Sequence, residues 1–454
     1  MIMKIGRKLG YGIGDMGAGI IWGMVSSYVL VYLTDSVGMA AAVVGTIILI
    51  ARVFDGISDA LMGIVIDKTH TKFGKAKPWY LVSILPLVIN FLLLFNIPKT
   101  MSGTAQTVYV FVLYFMITAV IYTIKDVSYN TLPALVADNT KDRVSMTVIR
   151  FAFSLTTAII IGVITVPALN SMGGLQNQQA WSNLSYIFAA VGLATLLISA
   201  FSVKELHVGK KTTSAKKKEN SLPIYKSIAY VFSNKYFILA LTATLAGMTR
   251  IALMGASVYY ARDVVGDSNL VGIITIASLF PMIIGMLISN RLVNKLGMQK
   301  ARTIGNVVSV AGALLAAIFS DNFTLVITGL AVLGVGMGPS TATGAAMLSH
   351  IADYGEWKHH VKLQGVTFSC NSVATKVGTG LGGALIGWAL SAGGYIAGAA
   401  AQSAQTIFMI KGVFLYVPVF LCAVSFVTNL FMDIEYKMPA IHEELKQRSE
   451  EPAV

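Results

Sequence analysis

AVVGTIILIARVFDGISDALMGIVI, residues 42–66, decides how the rest of the chain is read. A helix needs roughly twenty predominantly apolar residues to cross the ~30 Å hydrocarbon core of a bilayer, and this stretch supplies them. Yet it also carries Arg52, Asp55 and Asp59. A charge at the centre of a bilayer costs ~2.5 to 3.5 kcal/mol even on insertion scales, so charges retained there point to function. A membrane helix with ions inside it is therefore the first inference.

Similar windows recur along the whole chain. The expected spans are 11–33, 42–66, 79–97, 105–127, 147–170 and 181–203, then 228–260, 267–289, 303–320, 323–348, 364–391 and 407–432. The window 228–260 is too long for one straight crossing, so part of it should tilt or lie along the interface. The 454 residues are 55% hydrophobic and only 12% charged, far from the roughly one-quarter charged content of soluble domains. Mean hydropathy is +0.72, and the 42 glycines suit close helix packing in lipid. These observations predict an all-α polytopic membrane protein of twelve transmembrane helices.

The formal charge of +13 does not mark a nucleic-acid binder, because the basic residues are divided among the loops between apolar segments. Most of them fall in alternate loops and at both ends, from Lys4, Arg7 and Lys8 through Lys68, Lys72, Lys75 and Lys77 to Arg291, Lys295, Lys300 and Arg302. The opposite loops hold only Lys99 and Arg262. Positive residues in short loops stay inside, so both termini are expected to be cytoplasmic in a multi-pass plasma membrane protein. The first apolar stretch lacks a small-residue cleavage site at its end and reads as a retained helix. Cys370 and Cys422 lie within apolar runs, which excludes a disulfide framework and a CxxC metal or redox motif.

The longest polar segment, Lys204–Lys226, reads as a basic cytoplasmic linker. It divides the chain into an N-terminal six-helix bundle, 1–203, and a C-terminal one, 227–435, followed by a tail, 436–454. The halves echo each other: Gly63 to Lys68 with Lys72, Gly74 and Lys75 follows the second span, and Asn290-Arg-Leu-Val-Asn-Lys-Leu-Gly297 follows the eighth. Two six-helix halves with related loops suit a carrier built on parallel repeats.

Asp55 and Asp59 are four residues apart, which on a helix puts both carboxylates on one face. They repel each other unless a cation lies between them, so the pair is a candidate coupling site. Hard oxygens suit Na⁺ or Li⁺, and the same acids can take H⁺. The structural alternative is neutralisation by Arg52 or a distant lysine. In the fourth span Thr123 and Asp126 share a face, offering a hydroxyl ligand and a carboxylate for sugar hydroxyls. Lys125 either neutralises a neighbouring acid or snorkels to the interface. Arg150 and Lys376 add charges from two further spans, and Asp15 and Arg250 are weaker candidates. Trp22, Tyr28, Tyr32, Tyr129 and Phe368 are aromatic candidates for sugar stacking, although packing or belt roles are commoner for such rings.

Several motifs together carry a resemblance that runs end to end: Gly10-Tyr-Gly-Ile-Gly-Asp15, Tyr32-Leu-Thr-Asp35, Ala51-Arg-Val-Phe-Asp55-Gly-Ile-Ser-Asp59, Thr71-Lys-Phe-Gly74-Lys-Ala-Lys77-Pro-Trp79, Ala352-Asp-Tyr-Gly355-Glu-Trp-Lys358 and Gly382-Gly-Ala-Leu-Ile-Gly-Trp388. The chain resembles the glycoside-pentoside-hexuronide:cation symporters of the major facilitator superfamily. The resemblance implies a major facilitator fold, no cofactor beyond a coupling ion (Na⁺, Li⁺ or H⁺), and alternating access around a glycoside. It places Asp55, Asp59 and Thr123 at the cation site, with Ser58 where the family has an asparagine. It places Asp126 and Arg150 at sugar contacts, Lys376 at the link between halves, and Asn371 and Ser372 among polar contacts. The melibiose-type pattern has an acid where this chain has Gly19 and tryptophans where it has Asn130 and Thr341, so an α-galactoside is not implied. Pentoside or glucuronide carriage, uniport and a non-transporting sugar sensor are the alternatives. An intramembrane enzyme is disfavoured by the absence of HExxH and GxSxG motifs.

Overall fold

The computed structural model describes residues 4–101, 103–206 and 223–450. Most of the expected linker lies outside the described residues. Among them, β structure is limited to one isolated bridge between Thr71 and Gly74. Twelve long helices succeed one another: α1 (Ile5–Ser27), α2 (Ala41–Lys68), α3 (Lys77–Phe95), α4 (Gly103–Val136), α5 (Thr140–Ser171), α6 (Gln178–Ser202), α7 (Lys235–Val265), α8 (Ser268–Leu296), α9 (Met298–Ile318), α10 (Phe323–His359), α11 (Gln364–Ala392) and α12, formed by Ala404–Lys411, Gly412–Tyr416 and Val417–Leu430 in succession. Ten of these stretches are long and apolar enough to cross a membrane, and α1 with its continuation Val29–Ser36 makes an eleventh. The chain is a multi-pass membrane protein.

Two expected spans are resolved into pieces. The window from 228 is broken at Ser233–Asn234, where the Asn234 side chain accepts the backbone N–H of Tyr236 and starts α7 afresh. The preceding helix, Ile224–Phe232, is separate. The first span bends by 49° between Ser27 and Val29. Arg302, counted above with the loop residues, lies one turn inside α9.

The contacts define two compact units. The first comprises Met1–Thr213, Met254–Thr275 and Gly383–Ile410, and the second comprises Ser214–Leu253, Ile276–Gly382 and Lys411–Val454. Within the first, α1 lies against α6 at backbone distance: a Cβ added to Gly17 would sit 2.7 Å from the Gly192 carbonyl oxygen. Within the second, α9 and α10 approach as closely, since a Cβ on Gly312 would sit 2.6 Å from the Gly329 oxygen. Small residues permit this contact, which dispersion alone then rewards in an apolar solvent.

Each unit uses a glutamate from its far end to cap a helix. In the first, Glu205 accepts the backbone N–H groups of Lys75, Ala76 and Lys77 at 2.8–2.9 Å, at the start of α3. In the second, Glu435 accepts those of Met298 and Gln299 at 2.6–2.7 Å, at the start of α9. The turn before each helix passes through a glycine at positive φ, Gly74 (116°) and Gly297 (86°), which removes the Cβ that would strain the turn and crowd the carboxylate. A carboxylate at a helix N-terminus satisfies donors that have no partner within the helix and complements the dipole. The motif echo between residues 63–75 and 290–297 thus has a structural counterpart. Glu205→Ala should destabilise the protein by about 1–3 kcal/mol, the cost of leaving buried donors without an acceptor, read as a lower thermal midpoint of the detergent-purified chain, with Glu205→Gln intermediate.

Candidate functional site

The charges of the first unit gather into three groups. In the first, Asp55 on α2 is fully buried. The Thr123 hydroxyl donates to Asp55 Oδ1 at 3.1 Å, and the Ser58 hydroxyl lies 3.2 Å from Thr123 Oγ1 while donating to the Asp55 carbonyl at 3.0 Å. Arg52 lies 3.4 Å from Asp55 Oδ2, and its guanidinium sits 4.2 Å over the Trp22 ring. Trp22 stacks in turn on Tyr122 at 4.1 Å. Asp59 follows one turn later, half-buried. The residues expected at a cation site, Asp55, Ser58 and Thr123, are therefore joined across two helices.

The local cause is a π-helical stretch, Met116–Tyr122, within α4. An extra residue per turn rotates everything after it, and such turns recur at functional positions. It ends at Tyr122, so that Tyr122 meets Trp22 and Thr123 meets Asp55.

The second group is a closed ring. Arg150 Nε lies 2.8 Å from Asp15 Oδ2, and Lys125 Nζ lies 3.9 Å from Asp15 Oδ1 and 3.7 Å from Asp126 Oδ1. Asn130 donates to Asp126 Oδ2 at 2.9 Å and accepts from Arg150 NH1. Two acids face two cations, so the ring is neutral. It is positioned by Tyr11 and Tyr129, which stack at 4.4 Å and exchange hydrogen bonds, each hydroxyl donating to the other's carbonyl at 3.0 and 2.6 Å. That brace holds α1 against α4 one turn from Asp15 and one turn from Lys125 and Asp126.

Of the two alternatives for Lys125, the structure selects neutralisation: the side chain is wholly buried between acids and does not snorkel. Asp15, ranked low from sequence, is the acid that holds both cations. Thr123 and Asp126 share a helix face but join different groups. Tyr28, Tyr32 and Tyr129 are buried in packing, Tyr32 against Phe95 and Trp181, while Phe368 is exposed. Gly19 faces Thr157, where an added Cβ would lie 3.0 Å from its methyl, so a larger residue here requires Thr157 to yield.

The third group was not legible as a pair. Arg262 ion-pairs with Asp35, and Tyr395 donates to Asp35 Oδ1 at 2.7 Å. Thr34 donates to the same oxygen at 3.1 Å and bonds Tyr259 at 2.9 Å. Residues more than two hundred positions apart meet here, and no local spacing announces it.

The remaining expected residues belong to the second unit. Asn371 accepts from Thr244 Oγ1 at 2.9 Å, and Asn371 and Thr341 line a cavity of about 350 Å³. Ser372 and Lys376 follow on α11, both half-buried.

Buried ionic groups inside membrane helices mark a functional interior. The chain belongs to the MFS/sugar transport protein family, which it matches over residues 10–436. It is 28% identical over 450 residues to the isoprimeverose transporter of Lactiplantibacillus pentosus, covering 97% of this chain and 91% of that one. It is 28% identical over 425 residues to the inner membrane symporter YicJ of Escherichia coli, covering 92% and 89%. The solved nucleoside transporter NupG shares the fold, with a TM-score of 0.64 at 16% identity over 94% of this chain and 98% of that one. The chain is a transporter and not an enzyme.

Removing Asp15 leaves two cations facing one acid. Asp15→Asn should cost on the order of 3–5 kcal/mol, as for other broken buried pairs, measured as thermal unfolding in detergent, and more than Asp126→Asn, whose carboxylate is more exposed.

Proposed function

We propose that the chain is a sugar:cation symporter of the bacterial inner membrane, working by alternating access, with both termini cytoplasmic. Asp55, Asp59, Thr123 and Ser58 hold the cation, and Asp126, Arg150, Asn130, Asn371, Ser372, Lys376, Thr341 and Gly19 form the sugar region. Two bundles, 1–203 and 227–435, rock about that region, joined by the basic linker 204–226 and followed by the tail 436–454. The observation that carries the reading is the joined oxygen set of Asp55, Ser58 and Thr123. Hard oxygens from a carboxylate and two hydroxyls fit Na⁺ or Li⁺, and the same carboxylate accepts H⁺. The similarity to a named symporter and a named sugar transporter supports it, as does the resemblance of the motifs to cation-coupled glycoside carriers.

The ring around Asp15 fits recognition of a polyhydroxylated ligand. Asp126 is its more exposed acid and accepts hydroxyl protons, while the Arg150 fork donates to ring and hydroxyl oxygens. Cation binding at Asp55 influences the same helix, because Thr123 and Asp126 are one turn apart on α4.

De-energised vesicles challenged with galactosides, glucosides, xylosides and glucuronides should show sugar-driven entry of H⁺ or Na⁺ that Asp59→Cys abolishes. Sugar uptake that proceeds equally without an ion gradient would contradict symport and favour a uniporter. Absence of any sugar movement with intact binding would favour a sensor.

A further inference from the structure

Between the Asp55 set and the ring around Asp15 runs a continuous row of charged and aromatic side chains from three helices. Arg52 on α2 lies 3.4 Å from Asp55 Oδ2, and its guanidinium carbon is 4.2 Å from the centre of the Trp22 ring on α1. Trp22 stacks at 4.1 Å on Tyr122 of α4. Lys125 Nζ lies 5.2 Å over the Tyr122 ring and reaches Asp126 Oδ1 at 3.7 Å and Asp15 Oδ1 at 3.9 Å. Every step is within the range of an ion pair, a cation–π contact or a ring stack.

The row begins with a side chain that has two places to go. Charge-assisted N–H···O bonds are about 2.7–2.9 Å long, so the approach of Arg52 to Asp55 at 3.4 Å is slack. Arg52 is buried, and its Nε has no hydrogen-bond partner among the described residues. The guanidinium is thus divided between a carboxylate and a π face. It does not deprotonate in proteins, so a cation arriving at Asp55 repels it and cancels the attraction that holds it there. The Trp22 face is the attractive surface already in contact with it. At the far end Lys125 is divided in the same way, between the Tyr122 ring and two acids, of which Asp126 is the more exposed. A shift of the stack therefore changes how firmly Lys125 holds Asp126. Coupling between sites needs an element with two arrangements that both sites bias, and Arg52 supplies it.

We propose that Trp22 is a positioning residue that couples the two sites: cation occupancy at Asp55 moves Arg52 onto its ring, and the Trp22–Tyr122 stack passes the shift to Lys125 and Asp126. The proposal rests on the reading of the chain as a symporter and deepens it by naming the route. That route is distinct from one along α4 through Thr123, which has no need of Trp22.

The test uses the purified full chain in lipid nanodiscs, with Na⁺, Li⁺ and H⁺ as cation probes and methyl galactosides, glucosides, xylosides and glucuronides as sugar probes. The first readout is the ratio of sugar affinities with and without saturating cation, for which about 5- to 150-fold is typical. Trp22→Leu should bring that ratio to about 2 or less, below this range, while direct titration still shows the cation bound. Trp22→Phe keeps a π face and should retain most of the ratio. The second readout is tryptophan emission: cation alone should shift it in the wild type, and Trp22→Phe, which removes one of five tryptophans, should abolish most of the shift. Where the size-exclusion profile of Trp22→Leu departs from the wild type, Tyr122→Leu replaces it with the same expectation, and the emission comparison stands without either. A ratio untouched by the leucine variant would overturn the proposal and leave symport standing. So would an emission shift of equal size in Trp22→Phe. A wild type whose sugar affinity ignores all three cations would remove the symport reading and this proposal with it.

Discussion

The carboxylate of Asp15 lies between two cations, and the polar interior of the first unit is organised around that fact. Lys125 is fully buried on α4 and Arg150 is half-buried on α5, and each would be costly in a low-dielectric surrounding without a counter-charge. Asp15 supplies it from a third helix. The reciprocal Tyr11–Tyr129 bonds hold α1 against α4, and the Lys125 ammonium and the Arg150 fork from α5 reach opposite oxygens of one carboxylate. Asn130 then closes the ring on Asp126. An arrangement with each charge counted once is rigid when complete and sensitive to any ligand that exchanges hydrogen bonds with it.

Asp55 is held in another way. It accepts the Thr123 hydroxyl and lies 3.4 Å from Arg52, whose guanidinium is shared with the face of Trp22. Asp15 joins two cations, whereas the Asp55 set gathers a carboxylate and two hydroxyls from two helices. The π-helical stretch in α4 links them, since it sets the rotation of both Thr123, which reaches Asp55, and Asp126, which reaches Lys125.

Much of this was legible from residues. Apolar windows located all twelve long helices, because a bilayer demands length and low charge, and both are local properties. The Asp55–Asp59 pair was legible from helical spacing, whereas the grouping of Ser58 and Thr123 with it came from the family resemblance, because Thr123 lies on a different helix. What was not legible required contacts between distant segments. The rank of Asp15 depended on where α4 and α5 carry Lys125 and Arg150. The Asp35–Arg262–Tyr395 cluster joins positions separated by more than two hundred residues. Arg302 was read as a loop residue because apolarity falls at the start of α9, although the helix begins at Met298 under the Glu435 cap. The break at Ser233–Asn234 needed the Asn234 cap to be recognised inside a continuous apolar window.

On the symport proposed above, a cation held by the Asp55 set favours sugar binding. Its most direct test is reciprocity in the purified protein: sugar affinity measured with and without saturating cation, and cation affinity with and without saturating sugar. Linkage requires the two ratios to be equal, and couplings of this kind are typically about 5- to 150-fold. Equal ratios above one, lost together in Asp55→Asn, are the expected result. A sugar affinity indifferent to Na⁺, Li⁺ and pH would rule out coupling through Asp55.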